Sequence, residues 1–268
     1  MRQITAAQAA PLFAGRTETT VRAFLHQGMG RAFADAQGRC AQIVVGDLCC
    51  FAGDADAPGA EELAGHVPAD HPALSLLMVP HDAAWDARIG AAGGARADRI
   101  TRWRLHADSL RADFLRPLSM PPTGYRIRCF DGALYRQALK AEWSRDFVSL
   151  YRDEADYLAR GIGVAALVDG ELVAGASSYF SYDGGIEIQI QTREDHQRRG
   201  LARCCGAALC LLCLERGVEP DWDAANLESR RVALRLGYRD GGSYSAWELR
   251  KENVDASKKD ERFWNRIT

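Results

Sequence analysis

The sequence predicts a mixed α/β fold, an α+β arrangement in which helices pack on a mixed sheet. Three observations point to it. The stretch GGIEIQIQT (184–192) alternates apolar and polar residues with the period of a strand. The run after Gln197 sets Leu201, Cys205, Ala208, Leu209 and Leu212 on one face at the helical period. From Tyr125 onward the patterns succeed one another as helix, helix, three strands, helix, strand, helix, strand.

Residues 1–120 read as a smaller N-terminal α+β domain, expected to pack on the second one. AQIVVGDLCCFAGD (Ala41–Asp54) has the form of a strand, a turn at Gly46-Asp47 and a second strand. DADAPGAEELAGHVPADHP is rich in Asp, Glu, Pro and Gly and reads as a loop with one helical turn. ALSLLMVP (Ala73–Pro80) is a short buried strand, and ITRWRLHAD alternates from Ile100 as another. LRPLSMPPTGYRI, with its three prolines, marks the linker.

Residues 121–250 form the second domain. Leu134, Ala138, Leu139, Trp143, Phe147, Leu150 and Tyr151 follow helical spacing until Gly161 stops it. IGVAALVDGELVAGASSYF is a hairpin turning at Asp169-Gly170, and the 184–192 strand follows. The helix after Gln197 closes at Arg216-Gly217, a basic last turn and a glycine cap. VEPDWDA reads as a strand, Asn226 as the cap of a helix ending at Leu236-Gly237, and SYSAWEL as the last strand. Residues 251–268 are a charged, solvated tail. No internal repeat is visible in the sequence.

The 268 residues are 47% hydrophobic and 26% charged with a net charge of −2, an ordinary globular balance without the basic face of a nucleic-acid binder. No apolar run approaches the ~20 residues of a membrane span. MRQITAAQAAPLFAGR lacks a continuous apolar core, so no signal peptide and a cytoplasmic, reducing setting are expected. The eight cysteines then stay as thiols. Cys210-Leu-Leu-Cys213 has the CxxC form but no second metal-type pair, so packing cysteines are expected and no metal.

The chemistry concentrates at Asp195–Cys205, DHQRRGLARCC, where a strand hands over to a helix. A helix N-terminus offers unpaired N–H groups and partial positive charge, Gly200 lets a ligand approach the backbone, and Arg198, Arg199 and Arg203 suit phosphate. The stretch is either a pyrophosphate cradle or a solvated basic turn. The Walker Gly-Lys-Ser/Thr and the dinucleotide GxGxxG are both missing.

Gln197-Arg198-Arg199-Gly200-Leu201-Ala202 follows the pattern Gln/Arg-x-x-Gly-x-Gly/Ala and resembles the acetyl-CoA motif of the GNAT superfamily of N-acetyltransferases. The preceding strand, Asn226 and Leu236-Gly237-Tyr238 extend the resemblance over roughly Tyr125–Leu249. MGRAFADAQGRCAQIVVGDLCCFAGD, EWSRDFVS, GASSYFSYDGGIEIQIQTREDHQRRGLA and PDWDAAN are similar to a bacterial subfamily that includes zwittermicin A resistance-type acetyltransferases, over nearly the whole chain.

The resemblance implies acetyl-CoA as acyl donor and a small-molecule amine as acceptor, in a monomer or homodimer. It implies that Ile190, Gln191 and Thr192 hold the thioester through their backbone, beside a bulge, and that Gln197 and the amides of Arg198 to Arg203 hold the pyrophosphate. It places Glu187 as general base; alternatively Glu187 lies on the solvent face of its strand with Gln189 and Gln191. Trp222 and Asp223 face the acceptor side in the family, and Asp223 either holds a cationic amine or serves a turn. Trp143 and Phe147 either line the acceptor cleft or belong to the core, and Tyr179 and Tyr182 stand alike. Asn226 caps its helix, with a coenzyme contact as a secondary role. Where many members carry a tyrosine as general acid, this chain has Ala233. The acidic loop with Asp54, Asp56, Glu61 and Glu62 either favours cationic substrates or is simply solvated.

Overall fold

The alternating and helical stretches fold into twelve strands and ten helices in a computed structural model, which describes residues 1–252. Residues 253–268, and with them nearly all of the expected tail, lie outside the described residues. The first half runs β1 (Arg2–Ile4), α1 (Ala6–Ala9), α2 (Thr19–Gln27), β2 (Arg31–Ala34), β3 (Cys40–Val45), β4 (Leu48–Gly53), α3 (Ala60–Ala64), β5 (Ser75–Val79), α4 (Ala83–Gly93) and β6 (Ala97–His106). After α5 (Ala112–Leu118) come β7 (Arg126–Cys129), α6 (Gly132–Leu139), α7 (Glu142–Arg145), α8 (Glu154–Arg160), β8 (Gly163–Val168), β9 (Glu171–Tyr182) and β10 (Gly185–Thr192). Then follow α9 (Leu201–Arg216), β11 (Glu219–Ala224), α10 (Leu227–Leu236) and β12 (Arg239–Arg250).

The chain divides into two compact units, Met1–Thr101 with the segment from Tyr244, and Arg102–Ser243. The division falls ahead of the proline-rich stretch. That stretch is not a bare linker: Leu115 is fully buried on α5, and Pro117 forfeits only one backbone bond near the helix end.

The two units share one topology. In the first, β1, β2, β3, β4, β5 and β12 lie side by side, antiparallel except for the parallel pair β4–β5. In the second, β7, β8, β9, β10, β11 and β6 do the same, with β10–β11 as the parallel pair. Each sheet ends on a strand drawn from the other half of the sequence. The repeat that the residues do not display is therefore present in the order and direction of the strands.

Local chemistry explains the elements. The β8–β9 hairpin turns at Asp169 (φ 52°) and Gly170 (φ 86°), both left-handed as a tight two-residue hairpin requires. The two helices expected before Gly161 are instead three short ones. Ser144 donates its hydroxyl to the Ala138 carbonyl (2.8 Å) where α6 stops, and Asp153 accepts the Asp156 N–H (2.8 Å) to start α8. Such side chains compete with helix continuation. In the second unit Ile186, Ile188 and Ile190 pack with Trp222 against Leu201, Cys205 and Leu209 of α9. Cys210 and Cys213 are buried in the same core, and burial pushes the Cys210 thiol up to about 12.

In the first unit the parallel β4–β5 ladder ends at Cys50 and Val79. Leu77 donates to the Asp47 carbonyl (2.7 Å), so the carbonyls of Phe51 and Gly53 face the same side. Arg16 donates to the Phe51 carbonyl (2.9 Å) and the Trp85 indole to that of Gly53 (3.1 Å). Trp85 is fully buried and stacks on Phe51 at 4.8 Å. Trp85→Ala is expected to cost about 3–5 kcal/mol of unfolding free energy in urea titration, and Trp85→Phe about 1 kcal/mol for the lost hydrogen bond. Equal midpoints for wild type and Trp85→Ala would contradict this packing.

Candidate functional site

In the second unit the equivalent ladder also stops short, and what lies beyond it differs. β10 and β11 pair only from Gly185↔Glu219 to Glu187↔Asp221. β10 then continues along β9 to Thr192, while β11 turns to β6 through Trp222↔Leu105, Asp223↔Arg104 and Ala224↔Trp103. The sheet forks at Glu187. Glu219 donates to the Gly184 carbonyl (2.8 Å), so even-numbered residues of β10 aim their backbone groups at β11. Arg193 donates to Val173 of β9 (2.9 Å), which turns the odd-numbered ones the other way. Of the three residues assigned to the thioester, Ile190 and Thr192 thus present their N–H groups to the gap, while Gln191 faces β9. A bulge lies alongside: the β9 register slips between Glu187↔Phe180 and Ile188↔Ser178, leaving Tyr179 as the extra residue.

Glu187 is not on a solvent face; it is 6% exposed. Continuing the ladder would send the Asp223 N–H to the Ile188 carbonyl. It goes instead to the Glu187 carboxylate (Oε1, 3.1 Å). Asp223 in turn accepts the Nε of Arg102 on its carboxylate (2.9 Å) and Nη2 on its own carbonyl (3.2 Å). The Arg102 side chain is 3% exposed. Tyr182 donates its hydroxyl to the Asp221 carboxylate. Alternation puts Glu187, Asp221, Asp223, Arg102 and Arg104 on one face of three neighbouring strands, and the isoleucines with Trp222 on the other. Arg102 escaped the sequence reading, although ITRWRLH already shows arginines at every second position.

The aromatic residues divide. Trp222 is 3% exposed, donates to the Ser229 hydroxyl (3.0 Å) and packs edge-on to Tyr238. It belongs to the core on the far side of the sheet from Asp223, because adjacent residues of a strand point opposite ways. Phe147 is fully buried, with its ring beside Gly175, which is opposite Gln191 on β9. Trp143 is half-buried, edge-on to Phe147 at 6.0 Å. Of this pair, Trp143 alone keeps accessible surface, and Phe147 supports it. Tyr179 and Tyr182 are buried.

The loop 193–200 ends in an uncapped helix. Gly200 is exposed, left-handed (φ 81°), and the N-cap of the 16-residue α9 without a side-chain bond. The first internal bond of the helix is Cys204 to the Gly200 carbonyl (3.1 Å). The N–H groups of Leu201, Ala202 and Arg203 therefore open outward, with the partial positive charge of the helix end behind them. Arg198 is also left-handed (φ 59°) and exposed, and neither it nor Arg203 has a hydrogen bond or ion pair among the described residues. Arg199 is engaged, donating to the Tyr125 hydroxyl (3.0 Å) and the Asp195 carbonyl (2.9 Å). His196 sits between Tyr125 (2.9 Å) and Arg193 (2.9 Å) and braces the loop. Gln197 donates to the Thr192 carbonyl (3.4 Å). Thr192 is 5% exposed, and its buried hydroxyl has no partner among the described residues. Asn226 accepts the Ser229 N–H (2.8 Å) and caps α10, as expected. Ala233 is fully buried in the core. An outward-facing set of amides, two unengaged arginines, an orphaned hydroxyl and a forked strand fit an elongated phosphate-bearing thioester such as acetyl-CoA.

A family model described as GNAT acetyltransferase matches residues 10–247. A GCN5-related N-acetyltransferase-like protein from Streptococcus suis 89/1591 is 32% identical, with 91% of this chain and 98% of that one covered at a TM-score of 0.79. An uncharacterised N-acetyltransferase, YdfB of Bacillus subtilis (strain 168), is 29% identical over 111 residues, 39% of this chain and 42% of that protein. The match thus spans under half the length of that curated relative. A tandem GNAT protein from the clavulanic acid biosynthesis pathway shares the fold at a TM-score of 0.56 and 14% identity, with 94% and 98% covered.

The cysteines beside the loop are poor nucleophiles. Burial raises the Cys204 thiol to about 11 and the Cys205 thiol further. Cys129 alone is exposed. Iodoacetamide at pH 7.5 is expected to label Cys129 first, with Cys204 and Cys205 slower by on the order of a hundred-fold. Peptide mapping showing Cys204 or Cys205 labelled as fast as Cys129 would refute this.

Proposed function

Since the chain belongs to the GNAT acetyltransferase family, we propose that it is an acetyl-CoA-dependent N-acetyltransferase acting on a primary amine of a small molecule. Transfer is direct, within a ternary complex. The observation that carries this reading is that the sheet forks at the residue bearing the buried carboxylate, on the strand that leads to the open N-terminus of α9.

Acetyl-CoA, when bound, supplies an acyl group activated as a thioester. The amides of Leu201, Ala202 and Arg203, with Arg198 and Arg203 side chains, hold its diphosphate. The N–H groups of Ile190 and Thr192 face the gap where negative charge develops on the acyl oxygen, a role worth about 3 kcal/mol per donor. Glu187 takes the proton that an ammonium acceptor must lose before its nitrogen can attack, directly or through water. Trp143 offers an apolar wall to the acceptor. Ala233 supplies no proton to the leaving thiolate; a thiol of ordinary pKa ~8.5 leaves acceptably without one. The likeness to zwittermicin A resistance-type enzymes favours an amino-polyol or aminated antibiotic as acceptor. The eight free thiols suit a reducing cytoplasm.

One donor binds per chain. The first unit's fork is filled by Arg16 and Trp85, and its loop carries Asp54 and Asp56 where the second unit has arginines.

Release of free thiol from acetyl-CoA with a panel of amines tests the activity. Turnover is expected, and Glu187→Gln is expected to lower it about 10²–10⁴-fold with acetyl-CoA affinity kept within a few-fold. Binding without turnover on any amine would point to an acyl-CoA sensor, the reading that Ala233 favours. Calorimetric titration with coenzyme A is expected to show a single site; two equivalent sites would sink the closed first fork.

A further inference from the structure

We infer that Arg102 is a positioning residue for Glu187, acting through the main chain of Asp223. The inference rests on Glu187 as the proton acceptor proposed above. A buried guanidinium is retained only with partners that compensate its lost hydration. At 3% side-chain exposure, Arg102 directs two bonds onto one residue, the carboxylate of Asp223 at 2.9 Å and its carbonyl at 3.2 Å. Holding both groups fixes the side-chain rotamer of Asp223 and the plane of its following peptide. The same residue carries the N–H that donates to Glu187 at 3.1 Å.

The position of that N–H matters because it is the β11 backbone group that reaches the Glu187 carboxylate. Asp221 is the last β11 residue paired with β10, and Trp222 points into the core. Asp223 is the first residue past the fork whose N–H faces β10. A relaxed Asp223 can swing toward the Ile188 carbonyl and resume the ladder, which would release Glu187 and narrow the gap. Arg102, by holding the Asp223 carboxylate and carbonyl, prevents this. Asp223 is accordingly a strut whose charge is already matched, and not the receptor for the acceptor's ammonium group. Arg102 comes from β6, so a residue 121 positions before Asp223 in sequence sets the base through it.

The full-length protein is assayed with acetyl-CoA and the best amine from the panel. Arg102→Lys, which keeps the charge but not the two-point grip, is expected to lower kcat about 10-fold, and Arg102→Gln about 100-fold. Coenzyme A affinity is expected to stay within about two-fold, since the α9 amides are untouched. In a Glu187→Gln background, Arg102→Lys is expected to add less than about a two-fold loss, because the residue acts through Glu187. A merely structural arginine would lower both backgrounds alike. Independent, multiplying losses in the double variant would overturn the inference while leaving the base assignment intact. So would wild-type kcat for Arg102→Lys. A flat Glu187→Gln would overturn the base assignment and this inference with it. Should Arg102→Gln not fold, the Lys variant and its double decide.

Discussion

The cleft depends on one hydrogen bond, from the Asp223 N–H to the Glu187 carboxylate. Parallel strands normally satisfy each other's backbone along their full length, and a buried N–H left without an acceptor costs about 1–3 kcal/mol. A sheet therefore does not fork unless something replaces the missing partner. Here a side chain does so. The carboxylate of the last paired residue on β10 takes the N–H that the next carbonyl of β10 would have taken. The strands separate without an orphaned donor on β11, and the N–H groups of Ile190 and Thr192 are left facing the gap. In the proposed reading, the group that opens the sheet is also the group that moves a proton in it.

The first unit meets the same demand in the opposite way. Its parallel pair also ends early, and the freed carbonyls of Phe51 and Gly53 are met by Arg16 and Trp85. The gap is filled by the protein itself. Charge follows the same division: Asp54, Asp56, Glu61 and Glu62 stand at the loop and helix start after β4, whereas Arg198, Arg199 and Arg203 stand after β10. α3 has five residues and α9 sixteen, so the helix-end field that favours an anion is developed in only one of them. Two copies of one strand topology are thus kept, one as a closed body and one as a cleft.

The legible parts of the sequence were those with an uninterrupted period. β8 and β9 show runs of apolar and small residues about a turn, β10 clean alternation and α9 a broad apolar face, bounded by glycines that the structure uses in left-handed conformations at 170, 200 and 217. Strands of three or four residues, such as β1, β2 and β7, are too short to display a period, and α4 was passed over although Asp82 caps it. The stretch before Gly161 reads as two helices because its apolar spacing is helical throughout. Ser144 and Asp153 break it through hydrogen bonds that spacing does not encode. The places of Glu187 on β10 and of Gly200 at the start of α9 follow from pattern. The side of the sheet on which Trp222 falls follows from parity with Asp223, which the sequence does contain. Arg102 does not follow from any local pattern, since its partner lies on a strand brought beside it only by the fold.

That last point explains why the charged cluster is kept despite its cost. Glu187, at 6% exposed, and Arg102, at 2%, are groups whose removal from water costs several kcal/mol each, and well-packed apolar residues would give equal or greater stability. The first unit, whose fork does no chemistry in the proposed reading, seals its own gap with an aromatic ring and one guanidinium on backbone carbonyls. A proton acceptor imposes a harder constraint. It must be dry enough for its charge to act at short range, yet bonded well enough to stay in place. A backbone N–H on a residue held by a buried arginine serves this: it donates to the carboxylate and keeps it in place. In the proposed reading, the geometry at Asp223 answers the demands of proton transfer rather than those of folding.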